Sequence, residues 1–223
     1  MNEKEYDVLK AKVMESLDGD EIAELIFQYD LNEYSVIKLT PLWQHMRACL
    51  CRLGVQRAYG IDLTWSERDV DVLHRVAIDL HNSLTSAKTG FKTNLTAQKA
   101  MFVLWCCNVN SFEEIDETVF KNGIDAAIGF IGGMLSEIMM VNLGLSWCED
   151  PEDKNHIVLC SRENLFCDPN LRVERFVLED IECGVSAFYK GIKMAVEKPI
   201  LFAKMTEEQL KKDPNGDSVE LRF

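Results

Sequence analysis

Apolar residues recur at helical spacing along most of the chain. Tyr6, Leu9, Val13 and Leu17 form one stripe over residues 3–17, which predicts an amphipathic helix ended by Asp18-Gly19. Asp20 is placed to cap a short helix through Tyr29, and the β-branched residues of 33–40 predict extended chain. Thr40-Pro41 combines a capping side chain with proline at the first helical position, so a helix is expected from there to about Tyr59, with Gly60 ending it. Val70, Leu73, Ala77, Leu80 and Leu84 predict the next helix, capped by Thr64 or Ser66 and running to residue 85. The polar stretch 85–92 reads as a loop, and Asn94 or Thr96 opens a helix through Trp105. Ser111 and Glu114 have capping-box spacing, which predicts a helical segment at 112–121. An apolar helix follows at 124–143, with Gly144 as the residue just past its end.

Beyond Gly144 the period changes from helical to alternating. LSWCED and HIVLC read as a β-hairpin, with Trp147 turned to the core on the face of Leu145, and Leu165-Phe166-Cys167 as a short third strand. Residues 171–196 are helical in pattern, and Gly184 and Gly191 allow two helices there; Lys198-Pro199 ends the run. The charged tail, 204–223, ends in SVELRF, an edge strand or a mobile end. The expected fold class is mostly α (α+β): a helical domain with a small antiparallel hairpin or three-stranded sheet in its C-terminal half. Residues 1–223 read as a single domain, with a helical part at 1–121 and the apolar helix, hairpin and final helices at 122–200.

Composition narrows the partners. The 223 residues are 47% hydrophobic and 27% charged, enough apolar content for a buried core. The formal net charge of −13 repels phosphate backbones and anionic lipid, so neither nucleic acid nor membrane is expected as a partner. The apolar run 124–147 approaches the length of a membrane span, yet Asp125, Glu137 and Asn142 interrupt it and no basic flank anchors it, so a core helix is expected. The N-terminus lacks the basic start and apolar core of a signal peptide. A cytoplasmic location is therefore expected, and with it reduced thiols at Cys49, Cys51, Cys106, Cys107, Cys148, Cys160, Cys167 and Cys183. Their spacing offers no pair of the C-x2-C kind that zinc sites use, so no metal and no cofactor is expected.

The segments TWSERDVDVLHRVAIDL, LSEIMMVNLGLSW and HIVLCSRENLFCDPNLRVERFVLED, within residues 64–85 and 124–180, resemble a family of bacterial domains of unknown function met among immunity-type proteins. The positions that carry the resemblance are Leu143, Gly144, Trp147, Val158, Asp168 and Phe176; residues 86–116 do not follow it. The resemblance implies a helix ending near Leu-Gly, a tryptophan on the next strand and a short segment leading into a helix. It brings no catalytic residue.

Glu137 stands out because it follows Gly132-Gly133 within an apolar helix, sharing a face with Phe130, Gly133 and Val141. It is a candidate functional carboxylate if buried; otherwise it pairs with an arginine or reaches the rim of the core. Gly129 and Gly133, four apart, let a second helix approach closely. His74 and His81 share a stripe with Glu67 and Asp71, but seven residues of helix are about 10 Å of rise, too long for one metal to bridge. That stripe reads as a polar margin of the core, with Asp71 and His74 as a pair. No nucleophile elbow and no phosphate loop is present, so no catalytic residue is assigned.

The acidic residues cluster at Glu113, Glu114, Asp116 and Glu117 and at Glu149, Asp150, Glu152 and Asp153, flanking the apolar helix and opening the hairpin. Such clusters serve solubility, and they also steer a basic partner. The leading expectation is a non-enzymatic acidic cytosolic binding protein, an inhibitor or immunity protein that neutralises a basic protein, with those eight residues as its binding surface. The alternative is a small metal-dependent hydrolase, like a nucleotide pyrophosphohydrolase, using Glu-x-x-Glu pairs such as Glu21/Glu24 and Glu114/Glu117.

Overall fold

The computed structural model describes residues 40–90, 106, 117–154, 156–162, 165–179 and 184–199, with isolated positions at 8, 11, 12 and 21. They form five helices and one small sheet: α1 (Pro41–Tyr59), α2 (Asp69–Gly90), α3 (Glu117–Leu143), β1 (Ser146–Glu149), β2 (Ile157–Cys160), β3 (Phe166–Cys167), α4 (Pro169–Glu179) and α5 (Val185–Glu197). The mostly helical α+β class is what the periodicity predicts. Of the helices expected at 3–17, 20–29 and 94–105, the extended run at 33–40 and the tail at 204–223, all but positions 8, 11, 12, 21 and 40 lie outside the described residues.

Local chemistry sets most boundaries. The Thr40 hydroxyl accepts a hydrogen bond from the Trp43 N–H at the start of α1, and Gly60 ends that helix with φ 68°. Gly144 ends α3 in the same way at φ 67°, its N–H donating to the Met140 carbonyl. Both glycines stand in the left-handed region that a side chain disfavours. The cap of α2 differs from expectation. Asp69, buried at the first residue of the helix, accepts from the Thr64 and Ser66 N–H groups at 2.6 and 3.0 Å, so the carboxylate rather than a hydroxyl ties the turn.

Two expected boundaries moved, and one left open by the sequence was decided. Helix α2 runs through 85–90, expected as loop, because Ser, Thr, Ala and Lys carry only small helix penalties and no proline intervenes. The described part of the segment expected at 112–121 and the helix expected at 124–143 are one helix of 27 residues, Glu117–Leu143; residues 112–116 lie outside the described residues. Gly123 costs that helix propensity but not continuity, since burial on either side outweighs about 1 kcal/mol. The run at 171–196 resolves into two helices, with Gly184 in extended conformation at the N-cap of α5 and Gly191 buried inside it.

Helix α3 is the centre. It packs most extensively on α1, then on α4, and also touches α2 and α5. Ile124, Ile131, Met134, Leu135, Ile138 and Met139 are buried along it. Glycine decides how close its neighbours come. A Cβ on Gly133 would lie 2.8 Å from the Gln44 carbonyl and 3.2 Å from the Ala48 nitrogen of α1, and one on Gly132 would collide with Asn170 of α4. At Gly129 the nearest atoms belong instead to the Arg47 guanidinium, which also lies 5.6 Å from the Trp43 ring centre. The close approach expected at Gly129 and Gly133 is therefore present against α1 at Gly133, while at Gly129 only the end of a side chain comes near.

The sheet has order β1-β2-β3 and is antiparallel throughout, with Trp147 opposite Leu159 and Leu159 opposite Cys167. That row faces the core, where Leu159 is fully buried; Trp147 packs on the core from a half-buried position. The other described cysteines are likewise free thiols.

The glycine contacts generate a paired prediction. Gly133→Ala should lower stability by about 1–3 kcal/mol, because backbone must move to admit the methyl group. Gly129→Ala should cost much less, because only the end of a flexible arginine must swing away. Urea unfolding of the two variants beside wild type checks this; equal losses would show that the seam is not set by backbone contact.

Candidate functional site

Two clusters bring chemically distinctive side chains together, and the residues singled out by sequence fall in both. The first is the β1–β2 turn. Its backbone is closed by three hydrogen bonds: Asp150 N–H to the His156 carbonyl at 3.0 Å, His156 N–H to the Asp153 carbonyl at 2.9 Å, and Glu152 N–H to Asp150 Oδ1 at 2.9 Å. His156 Nε2–H then donates to Asp168 Oδ2 at 2.7 Å. Asp168 is also the N-cap of α4, its Oδ1 accepting from the Asn170 and Leu171 N–H groups at 2.9 and 3.1 Å. The turn is thus fastened to the start of α4 by a histidine–carboxylate pair.

This fastening holds Glu149, Glu152 and Asp153 exposed and Asp150 half-buried, with Lys154 the one cation among them. Two large exposed apolar side chains lie within three residues of Asp168 along the chain: Phe166 on the edge strand, 42% exposed, and Leu171 on α4, 47% exposed. Of the other acidic cluster, Glu113, Glu114 and Asp116 lie outside the described residues; Glu117 is the first residue of α3. Of the Glu-x-x-Glu pairs, Glu24 and Glu114 lie outside them too. Among the described residues, no group of three or more His, Cys, Asp or Glu side chains could hold a metal ion.

The second cluster surrounds Glu137. It is neither sunk in the apolar core nor paired with arginine. Its Oε1 accepts from His45 Nδ1 of α1 at 3.1 Å, with both side chains about one-seventh exposed (15% for His45, 14% for Glu137). The other imidazole nitrogen, Nε2, faces Cys49 Sγ at 3.8 Å. His45 and Cys49 are four apart on one helix and so share a face. The Trp65 ring stacks on His45, with centroids 5.9 Å apart and planes 10° from parallel. Trp65 has φ 64°, an unusual backbone for a bulky residue, and its carbonyl accepts from Asn142 Nδ2 at 2.9 Å. The order Cys49–His45–Glu137 is that of thiol, base and orienting carboxylate.

Hydrogen bonds to Cys49 and then to Glu137 raise the His45 pKa from 6.5 to about 10, against the opposing effect of burial. His45, Cys49 and Trp65 were not singled out as a site from sequence. The only local signal is the H-x-x-x-C spacing on α1; the contribution of Glu137, 92 residues away, has none.

The histidine stripe of α2 has a different role from the one expected. Asp71 accepts from Ser186 Oγ at 2.9 Å rather than serving His74. The His74 ring packs on Phe176 and against Gly184, and burial lowers its pKa. His81 Nδ1–H donates to the Val177 carbonyl at 2.9 Å. These histidines dock α4 and the start of α5 on α2.

Comparison with protein-family models, with curated proteins and with solved structures finds no match to this chain.

The His45–Glu137 pair predicts a pH dependence with a definite sign. A folded pKa raised above the unfolded value means stability that is fully present below about pH 6.5 and is lost as pH rises through about 10. The stability gap between wild type and Glu137→Gln should therefore be widest near pH 6 and narrow toward about pH 10. Urea midpoints of both proteins across that range check it; a constant gap would show that Glu137 does not raise the His45 pKa.

Proposed function

We propose that this chain is a non-enzymatic, cytoplasmic binding protein that captures a basic protein, in the manner of an inhibitor or immunity protein. The observation that carries the reading is the fastened acidic turn. Two backbone hydrogen bonds, a third from Glu152 N–H to the Asp150 side chain, and the His156–Asp168 pair hold Glu149, Glu152 and Asp153 outward, so a partner meets carboxylates whose backbone is already ordered. Preorganisation of this kind removes part of the entropy cost of association.

Charge alone steers but does not specify. Exposed Phe166 and Leu171, near the Asp168 anchor, supply the apolar contact that a specific interface needs at its centre. The net charge of −13 extends the attraction beyond the turn itself. The resemblance of residues 64–85 and 124–180 to immunity-type domains supports the same reading, since the turn and its anchor lie within the second of those segments.

The test separates the two contributions. A protein captured by wild type from host lysate at low salt, identified by mass spectrometry, is purified and its binding kinetics are measured against variants. Glu149→Lys combined with Glu152→Lys should slow association by about tenfold or more at low salt, with the difference shrinking at high salt. Phe166→Ala with Leu171→Ala should instead speed dissociation. A captured partner that is not basic, or one whose association rate ignores both salt and charge reversal, overturns the reading.

A further inference from the structure

The proposed binding role uses none of His45, Cys49, Glu137 or Trp65. Cys49 and Cys51 lie two residues apart on α1 and differ sharply in surroundings. Cys51 is sealed in the apolar core cluster, and burial pushes its thiol far above the ordinary range, which makes it inert. Cys49 is equally well shielded from solvent, at 1% exposed, but its sulfur faces an imidazole nitrogen at 3.8 Å. That imidazole is fixed from its far side by Glu137 and stacked flat under Trp65. An inert core cysteine needs none of these partners.

We propose that Cys49 is a modification site, a thiol oxidised by small hydroperoxides, with His45 as its proton carrier, Glu137 as the positioning residue and Trp65 as the movable wall. The thiol proton leaves to solvent beside the protonated imidazole of His45, and the sulfur attacks one peroxide oxygen. The S–O bond forms as the O–O bond breaks. The departing hydroxide takes the proton from His45 Nε2 and leaves as water. Sulfur is oxidised by two electrons to the sulfenic acid and the peroxide is reduced by two. Glu137, accepting from Nδ1, keeps Nε2 aimed at the sulfur through the reaction.

Access is assigned to the Trp65 side, where the indole stacks on the imidazole that faces the Cys49 sulfur. Trp65 belongs to the connection between α1 and α2, not to a helix, and its positive φ is held by the tertiary structure around it, including the Asn142 bond to its carbonyl. Backbone held in such a conformation gives up strain when it moves. Hydrogen peroxide is about the size of water, so a small displacement of the indole admits it.

The test treats folded protein with hydrogen peroxide at neutral pH in the presence of dimedone, and fragment mass spectra locate the adduct on Cys49 or Cys51. In wild type, Cys49 should be labelled about tenfold faster than Cys51, because burial disfavours ionisation of Cys51 and Cys49 has the imidazole beside it. Trp65→Gly, which removes the wall and suits the positive φ, should speed labelling of Cys49 and leave Cys51 unchanged. Glu137→Gln should slow Cys49 severalfold, and His45→Asn should bring it to the level of Cys51. A variant that merely loosens the fold would speed both cysteines together, so the direction of change separates positioning from structural damage. Labelling of Cys49 no faster than that of Cys51 in both wild type and Trp65→Gly overturns the proposal. So does a Glu137→Gln variant that labels Cys49 as fast as wild type.

Discussion

The close approach of α1 and α4 to the glycine-bearing side of α3 is the constraint on which the rest depends. Helix α3 carries more apolar surface than one neighbour can cover, and by length and composition alone it is apolar enough to cross a membrane. In this structure protein takes the place of lipid. Gly132 and Gly133 lie side by side on α3, which sends one toward α4 and the other toward α1. Backbone then meets backbone, and the dispersion contacts that a side chain would have blocked become available. With α1 set against Gly133, His45 comes within reach of Glu137 one helical turn further along.

The same packing explains why a carboxylate is tolerated within so apolar a helix. Glu137 meets His45 of α1, whose ring stacks on Trp65, and Asn142 of α3 holds the Trp65 carbonyl. A lone carboxylate there would lose hydration without compensation. The imidazole supplies a donor and a charge, and it carries a thiol on its other nitrogen. Polar groups gathered in a partly dry place strengthen one another, which fixes their geometry as well as their energies.

The sheet has a different organisation. It is small, three short strands among the described residues, and its own ladder is too short to hold a long turn in place. The His156–Asp168 pair does that, joining the turn to a helix already fixed on α3. An acidic protrusion on a core-anchored support and a thiol cluster at the α1–α3 seam are thus built from separate interactions, so damage to one need not impair the other.

The sequence by itself determined the elements. Helical periodicity, the Thr40-Pro41 start, the glycine stops at Gly60 and Gly144, and the alternation around Trp147 all act within one or two turns of chain, where a residue's own conformational preferences decide. The close approach at Gly133 was legible for the same reason, since an absent side chain is visible without a partner. What local signals left ambiguous was settled by burial, which carried α3 through Gly123 as one helix. The site was less legible. The acidic turn was evident as composition, but its fastening needed His156 to find Asp168, and the imidazole of His45 needed a carboxylate 92 residues away. Nothing in α1 specifies Glu137 as that partner, and nothing around Glu137 specifies a histidine. A hydrogen bond at 3 Å requires both backbones to be placed to within fractions of an ångström, and only the packing of α1 on α3 supplies that.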